Sequence, residues 1–117
     1  MMTSHYPVNI HKAYHAHVYF DADTLDFATE LCHTAGDLYS LSIGRVHQEN
    51  VGPHPRWSCQ ITFGSKSFAQ FIPWLDEHRN DLSVLVHGLT GNDIDDHTRY
   101  AYWLGTPIPL NLAFFDS

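Results

Sequence analysis

Tyr14-His15-Ala16-His17-Val18-Tyr19-Phe20 is the stretch whose reading decides the fold. In a β-strand successive side chains point to opposite faces, so Ala16, Val18 and Phe20 form one apolar face and His15, His17 and Tyr19 share the other. One face builds a core. The other carries two imidazoles and a phenol, where a sheet that needed only to be soluble would use Thr, Lys or Glu. Two histidines at i and i+2 can converge on one small volume, as metal ligands or as a ligand beside a proton shuttle. A half-exposed polar face without chemistry fits the same spacing, because a short His-x-His is weakly specific.

Outward from this strand, Asp21 and Asp23 offer capping oxygens, and Leu25, Ala28, Leu31, Cys32, Ala35, Leu38 and Tyr39 recur at helical spacing. The spacing predicts an amphipathic helix over about 23–35, with Gly36 as its end and His33 on the solvent side. A second strand is expected over 41–48, where Ile43, Arg45 and His47 alternate imperfectly with Ser42, Gly44 and Val46, as suits a sheet edge. Prolines on both sides of His54 exclude helix and stiffen the loop. Such a loop is either a carrier for one ligand or an ordinary turn. The third strand, 57–63, turns Cys59, Ile61 and Phe63 inward and Ser58, Gln60 and Thr62 outward. Ser65 or Ser67 then caps a second helix with a Phe68, Phe71, Ile72, Leu75 stripe, and Pro73 predicts a bend or break near Ile72.

In a fourth strand, 82–87, Leu82, Val84 and Val86 face the core, so His87 points the same way as His15 and His17. Beyond the turn at 88–91, Asp93 or Asp95 caps a last short helix to Tyr102 or Leu104, ended by Gly105 and Pro107. His97 points inward on that helix, as a satisfied core histidine or a site residue. Residues 1–13 have few apolar anchors and read as a tail with His5 and His11 solvated. Residues 106–117 contain Leu110, Leu112, Phe114 and Phe115, so this apolar extended tail should dock on its own domain or on a second subunit.

The order strand, helix, strand, strand, helix, strand, short helix is the split βαβ pattern of the α+β ferredoxin-like sandwich. The expected architecture is a four-stranded antiparallel sheet with two main helices on one face and the histidines on the open one. A length of 117 residues fits one domain, 1–117, which buries roughly two-thirds of the surface of its unfolded chain. A net charge of −7 with six Lys and Arg argues against nucleic acid as partner, since phosphate neutralisation needs clustered bases. Ten His favour metal binding, proton transfer or pH sensing. Residues 1–12 contain no apolar run of signal-peptide length and no stretch of about 18 apolar residues occurs, so the reading is a soluble cytoplasmic protein. Cys32 and Cys59 fall on apolar faces and read as buried reduced thiols.

In that sheet order the first and fourth strands are neighbours, so His15 or His17 can meet His87. His54 belongs at the other end of its strands and must fold back across the open face or reach a partner's site. Taken together, Tyr-His-Ala-His-Val-Tyr-Phe at 14–20, Val-Gly-Pro-His-Pro at 51–55, Leu-Ser-Val-Leu-Val-His at 82–87, and Asp96-His97 followed by Ala-Tyr-Trp-Leu-Gly at 101–105 resemble the DOPA 4,5-dioxygenase family. Gly88 stands where that family often has Pro. The resemblance implies extradiol cleavage of a catechol, DOPA or a related catecholic acid, with non-haem iron(II) and dioxygen. On that reading His17, His54 and His87 are the metal ligands, His15 and His97 either shuttle protons or orient the ligands from behind, and Arg45 is a partner for a substrate carboxylate. The usual facial triad includes a carboxylate, for which Glu49 is the nearest candidate, and an all-histidine site would suit zinc equally well. The competing class of function is a small dimeric histidine-rich module that binds metal without catalysis. A homodimer is expected on either reading, because the apolar tail and the open sheet face both seek cover.

Overall fold

The chain runs β1 (Ala13–Phe20), α1 (Leu25–Tyr39), β2 (Ser42–His47), β3 (Trp57–Gly64), α2 (Ser65–His78), β4 (Val84–Gly88), α3 (Asp93–Asp96) and β5 (Ala101–Leu104), then a 3₁₀ turn (Leu112–Asp116). These elements come from a computed structural model, which describes residues 5–116. The expectations for residues 1–4 and Ser117 lie outside the described residues. All five strands form one antiparallel sheet of order β2-β3-β1-β4-β5, with β1 at its centre.

The period-2 reading of β1, β3 and β4 holds. Tyr14, Ala16, Val18 and Phe20 join Cys59, Ile61, Phe63, Val84 and Val86 in one core, covered by Ala28, Leu31, Cys32 and Ala35 of α1 and Phe68, Phe71, Ile72 and Leu75 of α2. Each large side chain sealed there contributes roughly 1.5–3 kcal/mol. Cys32 and Cys59 are free and buried. His33 is exposed on α1.

Several boundaries differ from the expected ones. Helix α1 does not stop at Gly36 but runs to Tyr39 and ends on Ser40, in the left-handed region at φ 56°. A Cβ at Gly36 would stand 2.8 Å from Ile43 Cγ1, so this glycine serves the approach of β2 to the helix. The bulge between Ile43 and Val46 accounts for the poor alternation of β2: one extra residue lets both side chains pack against the core. Helix α2 is unbroken at Pro73, and neither Ser65 nor Ser67 caps it, the N-cap being Gly64. Pro73 and Ala69, the residue four back whose carbonyl loses its donor, are both exposed, so water satisfies what the proline removes.

The expected last helix is a single turn, Asp93–Asp96, capped by Asn92 Oδ1 accepting from the Asp95 N–H at 3.0 Å. The following residues form a fifth strand, so the sheet has five strands and not four. Tyr102 and Leu104 are buried on the core side while Ala101 and Trp103 alternate with them, and Leu104, Trp103, Tyr102 and Ala101 pair with residues 84–87. Aromatic residues at period two suit a strand, and β4 had an unpaired edge to offer. No helix among the described residues is long and apolar enough to cross a membrane.

Neither end is a free tail. Trp103 donates its N–H to the His5 carbonyl at 2.7 Å, the Tyr14 hydroxyl accepts from the Ile10 and His11 N–H groups, and Asn9 Nδ2 donates to the Ser65 carbonyl. His11 is half-buried rather than solvated, its Nε2 lying 3.1 Å from the Tyr102 hydroxyl and its ring edge-on to Tyr100. At the other end Asn111 donates to the Pro53 carbonyl and Phe115 packs 5.0 Å from His97, so the apolar tail docks on its own domain.

Candidate metal centre

The second face of the sheet holds the imidazoles. Antiparallel pairing sets His15 directly opposite His87, and His17 follows two residues along β1 opposite Leu85. The ligand nitrogens of His15, His17 and His87 all lie within 4.8 Å of one another. His17 Nε2 and His87 Nε2 are 3.0 Å apart, and both rings are buried. The expected trio was His17, His54 and His87; the structure brings His15 into this grouping, with His54 and His97 flanking it.

His54 reaches the cluster from within its own chain. Its N–H donates to the Val51 carbonyl, the loop folds back over the strands, and its ring packs 4.1 Å from that of His17. His97 closes α3, with its ring 4.3 Å from His87 and 6.4 Å from His54. The geometry at the second nitrogen of each ring is informative. His87 Nδ1 lies 2.9 Å from the Gly88 carbonyl and His97 Nδ1 lies 2.8 Å from the Asp93 carbonyl. A carbonyl only accepts, so in the neutral rings Nδ1 carries the hydrogen and Nε2 presents a lone pair.

Burial keeps the clustered rings neutral. Desolvation first, and repulsion from neighbouring imidazoles second, hold His17 well below the usual histidine range and lower His15. Desolvation is also the main cause that brings His54 and His87 down to about 4. Neutral imidazole is the form that binds metal. Two nitrogens held at about 2.1 Å from one ion at right angles would stand about 3 Å apart, which matches the His17–His87 spacing. The donor set present fits a transition ion that accepts imidazole.

Two residues that the sequence reading did not select belong to this neighbourhood. Tyr19, fully buried, places its hydroxyl 2.7 Å from His54 Nδ1, and burial pushes its phenol up. Its place on the His15–His17 face was the available signal. Asp96 is buried, with its carboxylate accepting the Thr90 N–H and, at 2.6 Å, the Thr90 hydroxyl. Its charge acts on His15 and His87, opposing their desolvation. In the sequence it stood only as the neighbour of His97 in the Asp96-His97 motif, with no role assigned.

Arg45 and Glu49 are both exposed, and β3 lies between β2, which carries Arg45, and the histidine strand. Among the described residues no hydrogen bond or ion pair joins either to the imidazoles. Arg56 instead lines a cleft of about 500 Å³ with Phe20, Asp21, Asn50, Pro55 and Trp57. A smaller cleft of about 220 Å³ shares Phe20, Asp21 and Arg56 and reaches Tyr19 and Ser83. The larger cleft includes Phe20 and Pro55, the residues that directly follow Tyr19 and His54, and neither cleft is lined by an imidazole.

The chain is 35% identical over 111 residues to a DOPA 4,5-dioxygenase of Amanita muscaria, covering 87% of this chain and 49% of that protein. It is 35% identical over 116 residues to an uncharacterized 21.2 kDa protein of Botryotinia fuckeliana, covering 89% of this chain and 63% of the relative. The chain thus spans about half to three-fifths of the length of these curated relatives. A crystal structure from Nostoc punctiforme, described as a candidate dioxygenase, superposes with a TM-score of 0.86 at 37% identity, over 90% of this chain and 91% of that one. Residues 14–114 match the sequence model of the Dopa 4,5-dioxygenase family, and the chain belongs to that family.

Proposed function

We propose that this chain is an extradiol ring-cleaving dioxygenase for a catechol such as DOPA or a related catecholic acid, using non-haem iron(II) and dioxygen. The observation that carries the reading is the trio of imidazoles within 4.8 Å on one sheet face, in a chain of this family. His15, His17 and His87 hold the metal, in place of the expected His17, His54 and His87. When bound, the iron supplies open positions for both catechol oxygens and dioxygen. The protein supplies the rest. His97, with Nδ1 tied to the Asp93 carbonyl, turns a bare Nε2 toward proton traffic and accepts a catechol proton. Asp96 backs this side of the centre with fixed negative charge. A substrate carboxylate meets the Arg56 guanidinium, in the cleft that includes Phe20 and Pro55, rather than Arg45 on the edge strand.

The first six elements, with strand order β2-β3-β1-β4, read as a ferredoxin-like unit to which β5 adds an outer strand. A homodimer belongs to the proposal, since Leu112 and Phe114 remain exposed on the docked tail. The all-imidazole donor set favours one competing reading, a zinc-holding module without catalysis. Anaerobic reconstitution with iron(II), followed by oxygen and a panel of DOPA, caffeate and protocatechuate, separates the two. Oxygen uptake with a yellow ring-opened product is expected from the iron form and not from the zinc form. One metal bound per chain with no uptake on any catechol would leave the binding module.

A further inference from the structure

The imidazoles on the histidine face divide by what touches Nδ1. For His87 and His97 the neighbour is a carbonyl, which only accepts, so in the neutral ring Nε2 carries no hydrogen. For His54 the neighbour is the Tyr19 hydroxyl, 2.7 Å away. Tyr19 is 1% exposed, and among the described residues His54 Nδ1 is its hydroxyl's sole partner at hydrogen-bond distance. A phenol keeps its proton at neutral pH, and a buried O–H needs an acceptor.

We propose that the Tyr19 hydroxyl donates to His54 Nδ1 and so fixes His54 with its hydrogen on Nε2, presenting a hydrogen-bond donor, not a lone pair, to an oxygen of the catechol. A neutral imidazole has one ring hydrogen, so filling Nδ1 as acceptor places that hydrogen on Nε2. Two observations agree. His54 stands outside the trio whose ligand atoms converge. Its Nε2 has no partner among the described residues, yet no described side-chain nitrogen or oxygen is both sealed from solvent and unpartnered, so Nε2 opens to solvent and can meet a ligand. Tyr19 is thereby a positioning residue, acting through His54. The substrate class rests on the proposed function; the hydrogen-bond direction does not.

Long-range proton–nitrogen correlation spectra of metal-free, ¹⁵N-histidine-labelled protein read each tautomer directly. The expected result is Nε2–H for His54 beside Nδ1–H for His87 and His97, and a shift of His54 toward Nδ1–H in Tyr19→Phe with His87 unmoved. His54 found as Nδ1–H in the wild type would overturn the assignment whether or not the variant folds, as would a His54 signal indifferent to Tyr19→Phe. Metal content gives a second readout: His54→Gln should keep one iron per chain, and its loss would make His54 a ligand. With catechol as substrate, Tyr19→Phe should lower kcat/KM about 10-fold or more at full metal content. Correct tautomers in a protein that cleaves no catechol would refute the proposed function and leave Tyr19 in its role.

Discussion

At the scale of the residue, the centre depends on which nitrogens face one another. Removing one imidazole from a three-nitrogen set leaves a weakly held ion, whereas changing a neighbour that only orients or shuttles typically costs about 10–100-fold in affinity or activity. His15→Ala, His17→Ala and His87→Ala are therefore expected to lose metal on dialysis. His97→Ala should retain metal and lose most of the rate, and the exposed His33→Ala should change neither. Metal analysis beside turnover distinguishes these outcomes; retention of full metal by His15→Ala would return the third ligand position to His54. The lowered values of His54 and His87, about 4 against about 6.5 in an unfolded chain, also set a pH dependence. Between pH 6.5 and 4 the unfolded state binds more protons than the folded one, so stability of the metal-free protein falls as pH falls through this window and is fully present above it. The loss is on the order of 2–3 kcal/mol per ring by pH 4. Thermal unfolding of metal-free protein at pH 7.5, 6 and 4.5 should follow that slope, and His87→Gln should flatten it.

At the scale of the element, two places show how sequence signals are overridden by neighbours. Pro73 sits inside a continuous α2 on its solvent side. Proline in a helix interior costs about 3 kcal/mol relative to alanine, so Pro73→Ala should raise the midpoint of chemical denaturation with no change in metal content. Gly88 ends β4 beneath His11: a Cβ there would stand 2.6 Å from the imidazole carbon Cδ2, and its N–H donates to the Tyr100 carbonyl. Gly88→Ala should cost about 1–3 kcal/mol through forced displacement of the His11 ring. If that contact is the cause, Gly88→Ala in a His11→Ala background should cost much less, and a double-mutant cycle in urea measures the difference. Equal costs in both backgrounds would place the strain elsewhere.

At the scale of the whole molecule, the chain covers much of its own second sheet face. Pro53, His54, His97 and Phe115 lie over it, through the Asn111–Pro53 hydrogen bond and the Phe115–His97 contact. At the end of β1, Arg56 lines two clefts with Phe20 and Asp21. Arg56→Gln is expected to raise KM about 10-fold or more for DOPA or caffeate while leaving unsubstituted catechol nearly unaffected; an equal effect on both would remove the arginine from carboxylate recognition. The proposed homodimer is tested by sedimentation, where a monomer persisting as concentration rises would remove it.

The first strand was legible because its period is two: each of Tyr14, Ala16, Val18 and Phe20 went to the core and each of His15, His17 and Tyr19 to the other face. The same local rule turned His87 to the face of His15 and His17, and the expected strand order set it beside them. It failed over 97–104, where i, i+4 and i+7 spacing of His97, Ala101 and Leu104 and period-two spacing of Tyr102 and Leu104 coexist in one segment. Only the free edge of β4 decided between them, and an edge is a property of the assembled sheet. The ligand trio was undecidable for a related reason. His-x-His and His87 are aligned by strand register, which hydrophobic alternation specifies. The distance of His54 from that row depends on how the β2–β3 loop returns to β1, and its tautomer depends on a phenol 35 residues away. Such contacts between remote segments exist only after the chain has folded.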